Sequence, residues 1–250
     1  MPSAVVIPTY NESENIERLI DEIISLPIDI QVIIVDDNSP DGTGALVESI
    51  SRRQSRVSCV HRPGKLGLGT AHIAGMRRSF ELNCDPIITM DADFSHRPVY
   101  IPDLLSALDR FDVVIGSRYT FGGDMQGRSM TLSTMSRGAN FFARTVLGLK
   151  AGDCTAGFRA YRRIVLESID LDRIFSNGYS FLIEMLFLCQ THGWSIGEVP
   201  IIYQDRFAGV SKISRPEIYK AMYTVLRLAW RRARVAKNAF LYYKTSDKRP

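Results

Sequence analysis

The sequence predicts an α/β fold with a mainly parallel central sheet, and three observations carry this prediction. Short β-branched runs alternate with stretches of helical periodicity over about the first 115 residues, which is the pattern of a parallel sheet covered by helices. The run "QVIIV" is continuously apolar, as expected for a strand that is buried on both faces. Charged residues directly follow several of these runs, at the edge where such sheets bind ligands.

The first half of the chain alternates between predicted strands and helices. "SAVVIPTY" is predicted as a strand and "NESENIERLIDEII" as a helix, because its apolar residues recur every three or four positions. "QVIIVDD" and Val57 to Val60 are predicted as the next two strands, separated by the helix "DGTGALVESISRR". A helix in "GLGTAHIAGMRRSF", a fourth strand in "PIITMDAD" and a further strand in "DVVIGSRY" complete this half.

The second half begins with a stretch rich in glycine and methionine. This stretch, "FGGDMQGRSMTLSTMSR" at residues 121–137, is predicted as a mobile loop. A helix in "GANFFARTVLGL", a turn in "AGDCTAGFRAYRR", a helix in "YSFLIEMLFLCQTHG" and a strand in "SIGEVPIIYQD" follow it. We find no internal repeat and no low-complexity tract in the sequence.

Composition is typical of a globular domain and excludes a largely disordered chain. The chain has 250 residues, of which 45% are hydrophobic and 23% charged, with a net charge of +4. Its four cysteines lie far apart without a C-x-x-C spacing, so we expect reduced, buried thiols rather than a zinc site or disulfides. We expect neither a secretory signal nor a membrane span, since each apolar run is shorter than the ~18 residues that a span requires.

Two aspartates one residue apart follow the predicted fourth strand in "ITMDADF". If the strand extends that far, its alternation points Asp91 and Asp93 to the same face. Two carboxylates held together repel each other unless a cation or a donor lies between them. A solvated strand end explains an isolated D-x-D equally well, but Tyr10, Asp37 and Arg118 also follow strands of this predicted edge. Together they indicate a binding site there.

Eight stretches resemble, in order and spacing, the family 2 glycosyltransferases, with the polyprenol- and dolichol-phosphate mannosyltransferases as the most similar members. They are "VVIPTYNESENI", "IIVDDNSPDGT", "KLGLGTA", "MDADFSHRP", "DVVIGSRY", "SRGAN", "TAGFRAYRR" and "IGEVPIIYQDRFAGVSK". The resemblance covers about residues 3–215 and implies a GT-A fold. It implies a catalytic domain over 1–215, with a nucleotide-sugar half at about 1–118 and an acceptor half at 119–215, followed by a basic tail at 216–250.

The resemblance implies an inverting transfer of mannose from GDP-mannose to a polyprenyl or dolichyl phosphate, with Mg²⁺ or Mn²⁺ as cofactor. It assigns the metal to Asp91, Asp93 and Ser95, where some relatives have glutamine at the position of Ser95. Asp91, Asp93 and Arg118 are the residues that we expect to act in catalysis. The residues expected to bind the donor nucleotide are Pro8, Tyr10, Glu12, Asp36, Asp37, Lys65 and Asp91.

A phosphate acceptor requires cations rather than a catalytic base. Its second pKa is about 6, so its oxygen is already an anionic nucleophile at neutral pH, whereas a hydroxyl acceptor needs a positioned base. By resemblance, Arg118, Arg206 and Lys212 bind this phosphate and Ser136 donates a hydrogen bond to it. Arginine suits this role because its planar fork pairs bidentately with phosphate.

One position departs from the family pattern. Relatives carry an arginine four residues before the serine of "SRGAN", where this chain has Leu132. We expect Arg128, about one helical turn upstream, to take over the binding of the acceptor phosphate. Arg137 is the alternative.

Four further polar residues have open roles. By resemblance, the turn "DCTAGFR" places Asp153 and Arg159 near the active site, with a structural salt bridge as an equal alternative for Arg159. Glu184 lies in an otherwise apolar helix, which is typical of a buried, paired carboxylate. No histidine has metal-ligand spacing, and His96 is expected to lie beside the metal site without binding the ion.

From Glu217 onward the sequence predicts a basic amphipathic helix. An apolar face opposes a basic one, with Ile218, Met222, Val225, Leu226, Ala229 and Trp230 on the first and Lys220, Arg227, Arg231 and Arg234 on the second. Such a helix binds an anionic membrane surface, and packing on its own domain is the alternative. With a lipid substrate, we expect a cytoplasmic protein that binds peripherally to the cytoplasmic face of a membrane. A small membrane-anchoring subunit is a further candidate partner.

Several other functions stay open. The same fold would serve transfer of glucose or another sugar from a UDP-sugar to polyprenyl phosphate or to a saccharide. An alternative of another class is a protein that binds nucleotide sugars without turnover. "GKLGLG" does not fit the G-x-G-x-x-G of dehydrogenases, and the absence of a recognisable motif disfavours nucleic acid as a partner.

Overall fold

This computed structural model describes residues 1–127, 130–204 and 215–246, which form nine strands and eight helices. The strands are β1 (Ser3–Thr9), β2 (Ile30–Asp36), β3 (Val57–His61), β4 (Ile87–Thr89), β5 (Val113–Ser117), β6 (Asp124–Gln126), β7 (Arg159–Tyr161), β8 (Ile196–Pro200) and β9 (Ile202–Gln204). The helices are α1 (Ile16–Ile24), α2 (Thr43–Arg53), α3 (Leu68–Glu81), α4 (Ile101–Ala107), α5 (Met130–Leu147), α6 (Arg163–Glu167), α7 (Tyr179–Thr191) and α8 (Arg215–Ser246). Two 3₁₀ turns complete the elements, Pro98–Tyr100 and Leu171–Arg173.

Seven strands form the main sheet, in the order β3-β2-β1-β4-β7-β5-β8. The pairs among β1 to β4 are parallel, as is the pair of β5 and β8. Strand β7 is inserted antiparallel between β4 and β5. Strands β6 and β9 form a separate parallel pair. The predicted α/β fold with a mainly parallel sheet is therefore confirmed, whereas the strand predicted in "SIGEVPIIYQD" divides into β8 and β9, which belong to different sheets.

Helices cover both faces of the main sheet, and successive strand residues alternate between them. In β1, Val5 and Ile7 pack on the face that α1, α2 and α4 cover. Ala4 and Val6 pack on the opposite face, against α3, α6 and α7. A third cluster around Ile115 joins α5, α7 and α8 to the sheet. Each fully buried aliphatic side chain contributes about 1.5–3 kcal/mol, so the strands provide a rigid base for the loops at their ends.

The structure departs from the sequence prediction at three further places. Strand β4 ends at Thr89, so Asp91 and Asp93 lie beyond it and strand alternation does not orient them. Residues 121–137 contain β6 and the first turns of α5, so the predicted loop is wrong over much of its length. The turn predicted around Arg159 contains β7, a strand of only three residues that hydrogen bonds from both neighbouring strands stabilise.

Helix α8 packs on its own domain along one side. Val225 and Leu228 are buried against α5 and α7, so part of the predicted apolar face packs on the domain, as the alternative interpretation expects. Another side remains exposed, with Tyr219, Met222, Tyr223, Leu226 and Trp230. The side chain of Ile218 lies outside the described residues. Within the described ranges, no helix combines the length and apolar character needed to cross a bilayer.

Candidate active site

Two aspartates at the carboxyl end of β2 are fixed by neighbouring groups. Asp36 accepts hydrogen bonds from Thr9 Oγ1 (3.1 Å), Ser39 N (3.0 Å) and Ser39 Oγ (2.6 Å). Asp37 forms an ion pair with Arg62, whose Nη1 lies 2.9 Å from Asp37 Oδ1. Burial raises the pKa of Asp37, and the positive charge of Arg62 opposes this shift. Arg62 is a residue that the sequence interpretation missed.

The loop before α3 presents Lys65 to the same edge. Lys65 Nζ lies 4.2 Å from the ring centroid of Tyr10, which is the distance of a cation–π contact. Arg62 stabilises this loop from within by donating to Thr70 Oγ1 at 2.6 Å. The ion pair of Asp37 and the position of Lys65 are therefore coupled through one guanidinium.

Asn177 ties this loop to the second half of the chain. Its Nδ2 donates to Leu66 O (3.1 Å), and its Oδ1 accepts from Gly69 N (3.1 Å). Between these residues Gly67 has a φ of +104°, and a Cβ there would lie 2.1 Å from Asn177 Nδ2. Only glycine suits such a conformation and such a close approach. No local pattern in the sequence indicates this long-range contact.

Pro8 and Glu12 flank Tyr10 at the end of β1. Pro8 is half-buried in the strand, and Glu12 N donates to Thr43 Oγ1 at 3.0 Å. Glu12 Oε2 accepts from Asn15 Nδ2, also at 3.0 Å. The structure thus brings together at one edge the residues expected at the donor nucleotide, which are Pro8, Tyr10, Glu12, Asp36, Asp37 and Lys65.

Asp91 and Asp93 lie in the turn that follows β4. Asp93 Oδ1 accepts from both the backbone N (3.1 Å) and the Oγ (2.5 Å) of Ser95. Asp91 N donates to His96 Nδ1 at 3.1 Å, so this nitrogen carries no proton and the proton of the neutral ring lies on Nε2. Here Ser95 orients Asp93, and its role as a further metal ligand stays a prediction.

Tyr203 lies close to the acidic turn and to Arg118. Burial, and then the negative charges of Asp91 and Asp93, raise the pKa of Tyr203. Arg118 Cζ lies 5.5 Å from the centroid of the Tyr203 ring, and the His96 ring packs edge-on at 5.9 Å. The acidic and basic parts of the site therefore meet around one aromatic side chain.

The acidic turn fits a hard divalent cation. Asp91 and Asp93 offer carboxylate oxygens, and Mg²⁺ is typically held by one or two carboxylates together with substrate phosphates. A Cβ on Gly157 would lie 3.4 Å from Asp91 Oδ1, so the glycine leaves space in front of that carboxylate. Within the described part of the chain, no group of three or more His, Cys, Asp or Glu residues could hold a metal ion, so this pair is not part of a larger protein ligand set there.

Arg118 is held by a buried carboxylate at the end of β5. Its Nε donates to Asp153 Oδ2 and its Nη2 to Asp153 Oδ1, both at 2.7 Å. Nη2 also donates to Thr155 Oγ1 at 2.8 Å. Burial alone raises the pKa of Asp153, but the charge and hydrogen bonds of Arg118 outweigh it and lower that pKa. Burial alone lowers the pKa of Arg118, but the charge of Asp153 and its hydrogen bonds outweigh this effect and raise that pKa, so both groups stay charged.

Two further side chains fix the loop that carries Asp153. Glu198 accepts from Gly152 N (2.7 Å) and Asp153 N (3.0 Å). Asn140 of α5 accepts from Cys154 N at 2.8 Å and donates to Gly152 O. Arg118 is thus supported by residues from three separate elements, a network that local sequence patterns do not predict.

The expected acceptor-binding residues are only partly described. Ser136 lies on α5 with its Oγ 3.1 Å from the hydroxyl of Tyr119, which follows Arg118. Ser136 is therefore close to the predicted acceptor site. Arg128, Arg206 and Lys212 lie outside the described residues, as does the side chain of Leu132.

Arg159 and Glu184 belong to the core rather than to the site. Arg159 is fully buried and donates to Leu182 O (2.7 Å) and Cys154 O (2.8 Å). It pairs with no carboxylate within the described residues, so the salt-bridge interpretation was wrong; its bond to Cys154 O places it behind the loop that carries Asp153. Glu184 is buried and accepts from Ser176 N at 2.9 Å and from its hydroxyl, so its partner is polar but uncharged.

Comparison with known proteins agrees with this geometry. The family described as "Glycosyl transferase family 2" matches residues 4–170. The chain is 41% identical over 223 residues to the polyprenol monophosphomannose synthase of Mycolicibacterium smegmatis, covering 88% of this chain and 84% of that protein. It is 40% identical over 222 residues to the undecaprenyl-phosphate mannosyltransferase of Micrococcus luteus, covering 89% and 91%.

Solved structures show the same architecture at lower identity. Glucosyl-3-phosphoglycerate synthase from Mycobacterium tuberculosis, solved with Mn²⁺, UDP-glucose and phosphoglyceric acid, superimposes with a TM-score of 0.66 at 21% identity. The match covers 91% of this chain and 79% of that one. With this GT-A-like fold and the family match, the chain belongs to glycosyltransferase family 2 and is a glycosyltransferase.

Proposed function

We propose that this protein transfers mannose from GDP-mannose to polyprenyl or dolichyl phosphate, with inversion at the anomeric carbon. The observation that carries the proposal is that the Tyr203 ring lies beside both parts of the site, 5.9 Å from the ring of His96 in the acidic turn and 5.5 Å from Arg118 Cζ. A donor diphosphate on the acidic side and an acceptor phosphate on the basic side would meet there. The names of the two relatives that are 40–41% identical supply the sugar and the lipid.

The donor half binds the nucleotide end of GDP-mannose. Lys65 and Tyr10 offer a cation and an aromatic face 4.2 Å apart, and Glu12 and Asp37 offer carboxylates beside them. Asp91 and Asp93 would hold Mg²⁺ or Mn²⁺, which would supply positive charge to the leaving diphosphate. Ser95 and His96 fix the turn that carries both aspartates.

The acceptor half holds a phosphate in line with the anomeric carbon. The attacking oxygen is already anionic, so no side chain has to remove a proton. This oxygen forms the new bond to the anomeric carbon, while the bond to GDP breaks and its electron pair leaves with GDP. Arg118 contributes a pre-oriented guanidinium, because Asp153 fixes two of its nitrogens. Arg206, Lys212, Ser136 and Arg128 remain part of the proposal as further phosphate contacts.

Access to a lipid substrate is proposed to involve the exposed side of α8. Tyr219, Met222, Tyr223, Leu226 and Trp230 expose apolar and aromatic surface. Aromatic and basic residues on one helix suit the interface of an anionic membrane. We propose peripheral binding at the cytoplasmic face, with a small anchoring subunit as a further partner. If the protein stays in solution with anionic vesicles at low salt, unaided membrane binding is refuted.

Sugar transfer in detergent tests the proposed function. Purified protein receives undecaprenyl phosphate or a saccharide acceptor, with GDP-mannose or UDP-glucose, and with Mg²⁺, Mn²⁺ or EDTA. We expect mannosyl transfer to the lipid phosphate from GDP-mannose, and its loss in EDTA. Transfer from UDP-glucose alone would contradict the proposed donor, and donor binding without transfer to either acceptor would favour a binding protein.

A further inference from the structure

We propose that Arg137, Arg144 and Phe141 of α5 bind the phosphate end of the acceptor beside Arg118. The sequence assigns this role to Arg128, with Arg137 as the alternative, and the inference adds Arg144 and Phe141 to these contacts. The inference rests on the proposed function for the nature of the anion and goes beyond it in assigning the residues. Arg144 and Phe141 are not among the residues that the family resemblance indicates.

An open cavity of about 380 Å³ lies between α5 and the segment that follows β5. Its lining includes the three arginines Arg118, Arg137 and Arg144. Arg137 and Arg144 are seven residues apart, so they lie on the same face of α5 two turns from each other. Among the described residues, no acidic side chain lines this cavity.

The two α5 arginines have no anionic partner within the described residues. Neither guanidinium forms an ion pair or a hydrogen bond there, and Nε of Arg144 is buried without a partner. By contrast, Asp153 and Thr155 engage two of the three guanidinium nitrogens of Arg118. Grouped like charges repel, and a buried donor without an acceptor costs free energy. A bound anion would relieve both costs.

Phe141 narrows the class of anion. It lines the same cavity, and 69% of its surface is exposed. Guanidinium groups pair bidentately with phosphate, whereas an exposed aromatic ring offers apolar surface. Together they fit a phosphate monoester carried on an apolar chain, with the phosphate at the arginines and the first part of the chain against the ring.

Binding of farnesyl phosphate, measured by calorimetry without donor, tests the assignment. We expect Arg137→Ala and Arg144→Ala each to weaken binding about 10-fold or more, since a hydrogen bond to a charged group is lost. Arg52→Ala is the matched control, because this exposed arginine lies on α2, away from the cavity. Phe141→Ala should weaken binding of farnesyl phosphate but leave stabilisation by inorganic phosphate unchanged. Steady-state assays should show a higher KM for the acceptor and an unchanged KM for the donor.

Unchanged affinity in both arginine variants, or no binding by the parent protein, would overturn the inference. Arg137 is exposed, so its variant should fold even if Arg144→Ala does not, and normal binding by Arg137→Ala would itself refute the shared site. Weaker binding at an unchanged Tm, in a protein that transfers no sugar, would support the inference while refuting the proposed function. Normal binding by both variants in a protein that does transfer mannose would refute the inference and support the proposed function.

Discussion

Replacing Asp153 with asparagine measures how strongly Arg118 depends on its buried partner. The substitution keeps the shape of the side chain and removes its charge. One carboxylate oxygen becomes an amide group that donates, so it faces either the Nε or the Nη2 donor of Arg118. The guanidinium keeps its own charge, because the pKa of arginine lies far above neutrality.

The expected loss of stability follows from burial. The side chain of Arg118 is 8% exposed and that of Asp153 is 0% exposed, so the pair is not a surface pair worth about 0–1 kcal/mol. Removing one partner from a buried pair costs about 3–5 kcal/mol, because the other charge stays buried without compensation. For a chain of this size, about 2–4 °C is lost per kcal/mol, so we expect Tm to fall by about 6–20 °C.

Urea unfolding of Asp153→Asn beside Asp170→Asn provides the assay. Asp170 pairs with Arg173 on the surface, with the two side chains 58% and 84% exposed, so its variant should lose less than about 1 kcal/mol. A loss below about 1 kcal/mol for Asp153→Asn as well would refute the view that this pair is a buried anchor.

Acidification tests the same pair independently. The folded-state pKa of Asp153 is lowered, so its contribution is fully present above the unfolded pKa of about 3.9 and is lost as the pH falls through the lower folded value. The parent protein should therefore lose more stability below about pH 4 than Asp153→Asn does. Parallel stability curves for the two proteins would contradict this assignment.

Four further predictions concern packing, the acidic turn and the donor side. Gly75→Ala would place a Cβ 2.2 Å from a Val6 methyl group, and overpacking should cost about 1–3 kcal/mol. Gly138→Ala on α5 would place a Cβ where no atom lies within 4 Å, so it should stabilise the protein by about 0.5–1 kcal/mol. For either glycine variant, a denaturation midpoint equal to that of the parent protein would contradict the prediction. Ser95→Ala removes a donor to the second aspartate of the acidic turn, so half-maximal transfer should require about 10-fold more Mn²⁺, and an unchanged metal titration would count against this. Asn177→Ala should raise the KM for the donor more than that for the acceptor, because the loop that carries Lys65 loses its hydrogen bonds to the segment before α7, and equal changes would refute this coupling.

The local pattern of apolar residues predicted a strand or helix correctly where it agreed with the long-range packing of the fold. Continuous apolar runs predicted β1 and β2 because both faces of those strands are buried. Helical periodicity predicted α1 and α7 for a similar reason. The placement of Tyr10, Asp37 and Arg118 at one edge followed from one topological rule, that parallel strands end at a common edge, whereas Lys65 was expected there only from the family resemblance.

Local pattern failed where distant residues decide the outcome. Strand β7 has three residues and includes Arg159, whose burial depends on carbonyl groups of Leu182 and Cys154. The sequence does not show that these carbonyls will be there. Asn177 binds the loop before α3 through Leu66 O, although the two residues lie more than one hundred positions apart in the sequence. The helical spacing of α8 predicted its apolar face but not that this face divides, with Val225 buried on the domain and Leu226 and Trp230 exposed.

The assignment of the acidic turn as the metal site is tested by comparing two variants, Asp93→Asn and Asp109→Asn. The rate of mannosyl transfer by each is measured over a range of Mg²⁺ concentrations. Asp93 lies in the acidic turn with its carboxylate fixed by Ser95, whereas Asp109 is exposed, away from that turn. We expect Asp93→Asn to lose more than about 100-fold in rate, since even residues that only support a metal ligand typically cost 10–100-fold. Asp109→Asn should match the parent protein. Full activity of Asp93→Asn at every Mg²⁺ concentration would contradict the assignment of this turn as the metal site.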